Sequence, residues 1–401
     1  CVRDALHDVA ATTQSNHAYS FVQVPPPTAP MAPAVTTSEQ LNAKVLLDAS
    51  QGVQAPFGSQ PPDIVQAIQA GTFTGPALNN LTLSSWATPT LVRYMQLLRQ
   101  VMPKTCKHLY VTSSQDEMLD KGLRCLRLKR PQAHVVIGFT HQYVGHTTAA
   151  ARSLSEPVGD PHRFRWFTHW PHLPNPAVYG VEPSYQALQD TLKQHPHQQI
   201  LGIVVELMGE KSGYTMPAPF LQHLAQVRER TGIPLIFVET ASALGRMGET
   251  LFASDSCSVQ PNMVLWYAGA QLGHVFVDHE HFASQPLMLI STWDGDEVSM
   301  LRTQHHLLAA QKVLQQGTAN WFEQQMQSWE LPKGVQRHGR GLWQVFDFGN
   351  QQQACVALQQ AADAGILLSE GLPGRLVMAP PLNASRSQLQ QTLEKLQQCW
   401  Q

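Results

Sequence analysis

Charge is scarce in this sequence. Asp, Glu, Lys and Arg make up 14% of its 401 residues, and 27 basic side chains nearly balance 29 acidic ones. A chain so balanced offers no field to gather nucleic acid or an anionic membrane surface. No apolar run reaches the length of a membrane span, and no charged-then-apolar leader opens the chain. Cys1, Cys106, Cys125, Cys257, Cys355 and Cys399 are scattered, without a C-x-x-C pair. In a chain of this length they read as reduced, mostly structural thiols of a cytoplasmic protein. A Walker-type Gly-x-x-x-x-Gly-Lys, a G-x-S-x-G elbow and an H-E-x-x-H helix are also missing, which removes the commonest nucleotide, acyl-transfer and zinc-protease signatures. The first residue is Cys1, so the expectation is a processed chain or a piece excised from a longer one. A lipidated cysteine is the lesser alternative.

What is present is a core. A hydrophobic content of 43% suffices for one large domain and a smaller one. Gln and His take up much of the polar surface. Residues 1–40 are poorly patterned and Pro-rich, which predicts an extended segment or linker. "AKVLLDAS" reads as a short strand, and "TPTLVRYMQLLRQVMP" as an amphipathic helix. From about residue 107, strands such as "QILGIVVEL" and "PLIFVE" alternate with helices and show no polar alternation of their own. That predicts an α/β domain over 41–300, with a mainly parallel sheet covered on both faces. A long connecting helix is expected over 301–330 and a small α+β domain over 331–401. No repeat at a period of 20 to 50 residues is visible.

In such folds ligands bind beyond the carboxyl ends of the strands. Glu206 and Glu239 lie there, and paired carboxylates could do acid–base work or hold a cofactor. A solvated or salt-bridged strand end is the plainer account. Ser113, Ser114 and Gln115 open a helix after a strand and suit a phosphate, although N-capping explains the same residues. "RFRWFTHWPH" mixes cations with aromatics, but without a basic domain around it a packed aromatic loop is the better account. His169 with His172, His195 with His197, and His305 with His306 have no acidic or cysteine partner at a ligand spacing. They read as surface or capping histidines.

The order of these pieces resembles the class III aminotransferases, pyridoxal-phosphate enzymes of fold type I, over about residues 43 to 397. "VLLDASQGVQAPFGSQPPDIVQAI" is similar to the family's opening strand, turn and first helix; residues 41–75 would contribute to the small domain. "YVTSSQDEMLD" resembles the phosphate loop, "IGFTHQYVGHT" the segment carrying the ring-stacking aromatic, and "LIFVETASALGRMG" the acid-plus-Gly-Arg-x-Gly stretch. "QPNMVLWYAGAQLG" resembles the lysine segment, "STWDGD" the segment whose threonine reaches the partner subunit's phosphate, and "RLVMAPPLNAS" the closing strand. The resemblance implies a fold type I architecture with a large and a small domain, and a dimer with its sites at the interface.

It also implies a loss. The family's Schiff-base lysine falls on Ala268, the aspartate that pairs the pyridine nitrogen on Val238, and a cofactor-contacting glutamine on Ala241. Val144 replaces a histidine. Ser114 and Gln115 replace the glycine and hydroxyl residue of the phosphate loop. Arg375 lies two residues before the carboxylate-binding arginine, whose place is taken by Val377. Tyr143, Glu206, Glu239, Gly245, Arg246, Gly248 and Thr292 keep family residues. A methyl group cannot form a Schiff base, and a ring without its acid is a poor electron sink.

The chain is therefore expected to be a pseudoenzyme, binding, scaffolding or regulating within a biosynthetic assembly. It would be a homodimer, or the partner of an active paralogue, with no covalent cofactor, no metal, no nucleic acid and no membrane. The alternatives are an active enzyme holding pyridoxal or pyridoxamine phosphate non-covalently, with Gln271, His274 or His141 as base, or a ligand sensor that uses the old cleft.

Overall fold

A computed structural model describes residues 9–10, 20–23, 44–78, 87–156, 165–248, 250–285, 288–292 and 294–401. Most of the Pro-rich stretch, with Cys1, lies outside them. Strands β1 (Val9–Ala10), β2 (Ser20–Gln23) and β3 (Lys44–Asp48) pair antiparallel in that order. The central sheet follows. It consists of β4 (His108–Thr112), β5 (Val135–Phe139), β6 (His172–Leu173), β7 (Ile200–Glu206), β8 (Leu235–Glu239), β9 (Met263–Tyr267) and β10 (Gly273–Val277), in the spatial order β4-β10-β9-β8-β7-β5-β6. All neighbours are parallel except β10, which runs against both β4 and β9.

Every residue of β7 and β8 is buried, because helices cover both faces. Alternate positions serve opposite layers. Val204, Ile236 and Val238 join one apolar cluster with Met118 and Leu119 of the helix Gln115–Lys129. Ile203, Val205, Leu235 and Phe237 join another with Leu188, Phe220 and Leu224 of the helices Val181–Gln194 and Ala218–Thr231. This parity decides where strand-end side chains point, and so which acids reach the cleft.

The last strands are β11 (Gln336–Arg340), β12 (Trp343–Asp347), β13 (Ile366–Leu367), β14 (Ser369–Glu370) and β15 (Arg375–Met378). Four of them form a sheet in the order β11-β12-β15-β14, while β13 pairs parallel with β3. The segment before residue 75 is thus stitched to the C-terminal unit by backbone hydrogen bonds. Where the sequence reads one connecting helix, the chain makes two, Glu297–Gln316 and Thr318–Gln327. Gly317 separates them in a left-handed conformation (φ 63°, ψ 25°), which a glycine adopts without steric cost. Among the described residues no helix is long and apolar enough to cross a membrane. Cys106, Cys125, Cys257, Cys355 and Cys399 are all free thiols.

Candidate functional site

A cavity of about 490 Å³ opens beyond the carboxyl ends of the central strands. Its walls come from five places: the β3 exit (Ser50–Gln54), the β4 exit (Ser113–Asp116), the loop bearing Tyr143, His146 and Thr147, the pair Glu210 and Lys211, and the C-terminal Trp343. Tyr267, Gln271 and Ser369 complete it.

The helix Gln115–Lys129 starts at this cavity with its own cap. Ser114 Oγ accepts from Glu117 N (3.3 Å), and Ser113 N donates to Glu117 Oε2 (3.1 Å). Such reciprocal bonds satisfy N–H groups that an anion would otherwise find free. Gln115 donates its side-chain amide to Glu210 Oε2 at 2.8 Å. Asp116 accepts from His146 N (2.7 Å), Thr147 N (2.5 Å) and Thr147 Oγ1 (2.6 Å), anchoring the Tyr143 loop to the helix. Gly145, at φ 117°, passes directly over Asp116, where no Cβ would fit.

Glu206 lies behind this wall, on the same sheet face as Val204. One of its oxygens accepts from Tyr143 N (3.0 Å) and the other from Glu210 N (2.6 Å). It therefore fixes the aromatic ring relative to the Glu210–Lys211 segment. Burial pushes its carboxyl up to about 8, overriding the two N–H donors that favour the charged form. Tyr143 Oη lies 2.7 Å from His146 Nδ1. Lys211 Nζ sits 5.4 Å from the Tyr143 ring centroid and 3.9 Å from Glu210 Oε1. The backbone on either side is pinned: Leu372 N donates to Lys211 O (3.1 Å), and Trp343 Nε1 to Glu210 O (3.2 Å).

The residues singled out in the sequence divide sharply. Ser113, Ser114, Gln115, Tyr143 and Gln271 line the cavity. Val238 and Ala241 are buried in the apolar cluster behind it, with Val144 and Val377. Ala268 is buried in a different cluster, beside Leu272, Leu307 and Ala310, and its carbonyl accepts from His306 Nδ1 at 2.9 Å. Glu239 is one position out of phase with Val238. It points to the opposite face, where it accepts from Ala253 N (2.6 Å) and Ser254 N (2.9 Å) and staples that loop. Thr292 is exposed and is not part of the cavity lining.

Two suggested bases are misplaced for the cleft. His274 is fully buried, bonded to the Tyr94 hydroxyl and enclosed by Trp266 and Phe276, and burial pushes its pKa down to about 3. Its strand position in β10 sends it into the core. His141 bonds Thr140 Oγ1 and packs on Tyr179 and Tyr214, outside the cavity lining. Arg375 is committed to Asp347 Oδ2 (2.9 Å), Ser212 O (3.3 Å) and Tyr214 Oη (2.5 Å). The sequence reading passed over Lys211, Glu210 and Trp343. The "GEKSG" stretch holds the only lysine among the cavity-lining residues described, and a search for any lysine near the matched motifs would have flagged it.

Among the described residues, four non-glycine residues adopt left-handed backbone: His141, Leu244, Ala270 and Gln271. All lie in the segments that follow strand ends, Leu244 within a short 3-10 turn, where strain marks shaped sites.

Pyridoxal phosphate does not fit here in the pose the family motifs imply. Position 268 has no amine, position 238 has no acid, and the phosphate loop is capped by Ser114 and Glu117, with the Glu210 carboxylate held against Gln115.

Comparison with known proteins places the chain. The family model described as "Aminotransferase class-III" matches residues 35–400. The β-alanine–pyruvate aminotransferase of Pseudomonas aeruginosa is 26% identical over 194 residues, a match covering 44% of this chain and 43% of that protein. The chain's match thus spans less than half of that relative's length. Among solved structures, the lysine aminotransferase from M. tuberculosis, in its internal aldimine form, superposes with a TM-score of 0.83. It is 15% identical and is covered at 96%, with 100% of this chain. An (S)-enantioselective omega-transaminase from Thermomicrobium roseum gives 0.75 at 21% identity, covering 90% of this chain and 89% of its own. Likenesses at that identity speak for the fold, and the family match speaks for descent: this chain belongs to the class III aminotransferases.

Proposed function

We propose that this chain is a non-catalytic member of its family, in which the cofactor cleft survives as a binding site and the protein serves as a scaffold or regulatory subunit. The observation that carries this reading is Ala268. It replaces the reactive amine, and it is buried with its carbonyl held by His306. Val238 and Ala241 support it, because both are closed into apolar core. The five free thiols among the described residues support a reducing compartment, the cytoplasm. Exposed apolar side chains on two packed helices, Val92 and Met95 on one and Leu308 on the other, support a dimer face, either with a second copy or with an active paralogue.

The test is amino transfer. The relative from Pseudomonas aeruginosa is named for β-alanine and pyruvate, so that pair, with added pyridoxal phosphate, is the first assay. No turnover above a protein-free control is expected. Turnover that vanishes on heat denaturation would overturn the reading. Sedimentation of the pure chain, alone and mixed with an active class III enzyme from the same source, tests the dimer.

A further inference from the structure

Another cavity, of about 240 Å³, lies apart from the cofactor cleft and shares no lining residue with it. It opens between the helices Pro62–Gln69 and Glu297–Gln316. We propose that this cavity binds a small neutral aromatic molecule carrying one O–H or N–H group, which donates to His306 Nε2. Nothing in this site depends on whether the cleft is catalytic.

The walls are mostly apolar, with Phe57, Pro61, Ile64, Ala309 and Val313 among them. Pro61 and Pro62, at the helix start, add no N–H group. The charged lining is one acid and one base, Asp63 and Lys312, both exposed, so no net field calls for a charged ligand. Burial lowers the pKa of His305, whose ring stacks on Phe73 with centroids 6.1 Å apart. An apolar cavity of about 150 Å³ already takes a benzene ring.

His306 is the polar group that this apolar lining encloses. It is only 5% exposed, yet it lines the cavity, with its ring centroid 5.2 Å from that of Phe57. Its Nδ1 lies 2.9 Å from Ala268 O. A carbonyl only accepts, so Nδ1 carries the proton. Burial pushes the pKa down to about 4, which leaves the ring neutral near physiological pH and Nε2 a bare lone pair. Among the described residues no donor meets Nε2. A buried acceptor without a partner is costly, and one placed polar group in an apolar hollow is how small-molecule sites are built. The bond to Ala268 O also fixes the ring before any ligand arrives, which lowers the cost of binding.

Phenol and toluene are the probes, since they match in shape and differ in the O–H. Each is titrated into the full chain by calorimetry. Phenol should bind saturably at one per chain, and toluene about tenfold more weakly or worse, because it leaves Nε2 unmet. His306→Asn keeps a side-chain N–H for Ala268 O and removes the Nε2 acceptor. It should bring phenol down to the level of toluene and leave toluene close to its parent value. Ala309→Leu fills the cavity from its helix wall and should weaken both probes by about tenfold. Melting curves check that each variant is folded. Should His306→Asn unfold, Ala309→Leu and the phenol-to-toluene ratio on the parent chain decide. Equal affinity for the two probes overturns the proposal. So does phenol binding undiminished in Ala309→Leu, or no binding to a folded chain.

Discussion

The cleft has a polar, open wall and an apolar, closed one. Ser113–Asp116, Tyr143 and the Glu210–Lys211 pair form the first, facing about 490 Å³ of space. Val238 and Ala241 form the second, sealed among Val53, Val144, Met208 and Tyr267. The closed wall follows the rules of a protein core, where apolar contact sets stability. The open wall carries a cation with no hydrogen bond and the buried Glu206 carboxyl at its back, and Gln271 beside it adopts left-handed backbone, features that a core would not retain. Apolar packing fills the sheet side of the cleft, while polar groups line the loop side.

Val238→Asp breaks this contrast most severely. Val238 is the cross-strand partner of Glu206, so the variant buries a second carboxyl beside an existing one. A loss of about 4 kcal/mol is expected in denaturant unfolding. A loss below about 1 kcal/mol would mean that the wall is wetter than its packing suggests.

Arg246→Met comes next. The buried guanidinium donates to Gly52 O (2.7 Å) and Pro380 O (2.9 Å) and lies 5.3 Å from the Trp343 ring. Its loss orphans both carbonyls, at about 3 kcal/mol.

Glu206→Gln acts through pH. Burial raises Glu206 to about 8 and Glu239 to about 7, from ordinary values of 4.5. Between these limits the folded chain holds protons that the unfolded chain has released, so their contribution to stability is lost as pH rises toward 8. His274 and His306, depressed by burial to about 3 and about 4 from 6.5, act oppositely and weaken the fold as pH falls below 6.5. Melting curves of Glu206→Gln should therefore lose part of the alkaline decline and keep the acid one.

Lys211→Met should change stability least, by no more than about 0.5 kcal/mol, since a partly exposed cation whose carboxylate lies 3.9 Å away contributes little. Calorimetry checks this. A large loss would assign Lys211 to the architecture instead of the site.

The fold was legible because its signals are local. Unbroken apolar runs such as "ILGIVVE" need two covered faces, and motifs at fixed spacing locate strand ends to the residue. The same spacing picked out Val238, Ala241 and Ala268. Direction was harder. Glu206 and Glu239 look equivalent in sequence, yet one serves the cleft and the other staples a loop behind the sheet, because they are out of phase across paired strands. His274 was misjudged as a base for the same reason: its proximity in sequence to Ala268 says nothing of the face it occupies. Lys211 escaped because only folding sets "GEKSG" against Tyr143, Gln115 and Trp343. The break at Gly317 was missed because helical periodicity runs on through it.

Arg246 gives the cleft a place in time as well as in space. Its two carbonyl partners come from opposite ends of the described chain, and the pairing of β3 with β13 joins those same ends. Contacts so distant in sequence form late, after loop closure has been met by more local structure. The central sheet can assemble from its neighbours, but the pocket closes only once the segment bearing Pro380 has met the one bearing Gly52. On a ribosome, this protein would have its scaffold well before it had anywhere to hold a ligand.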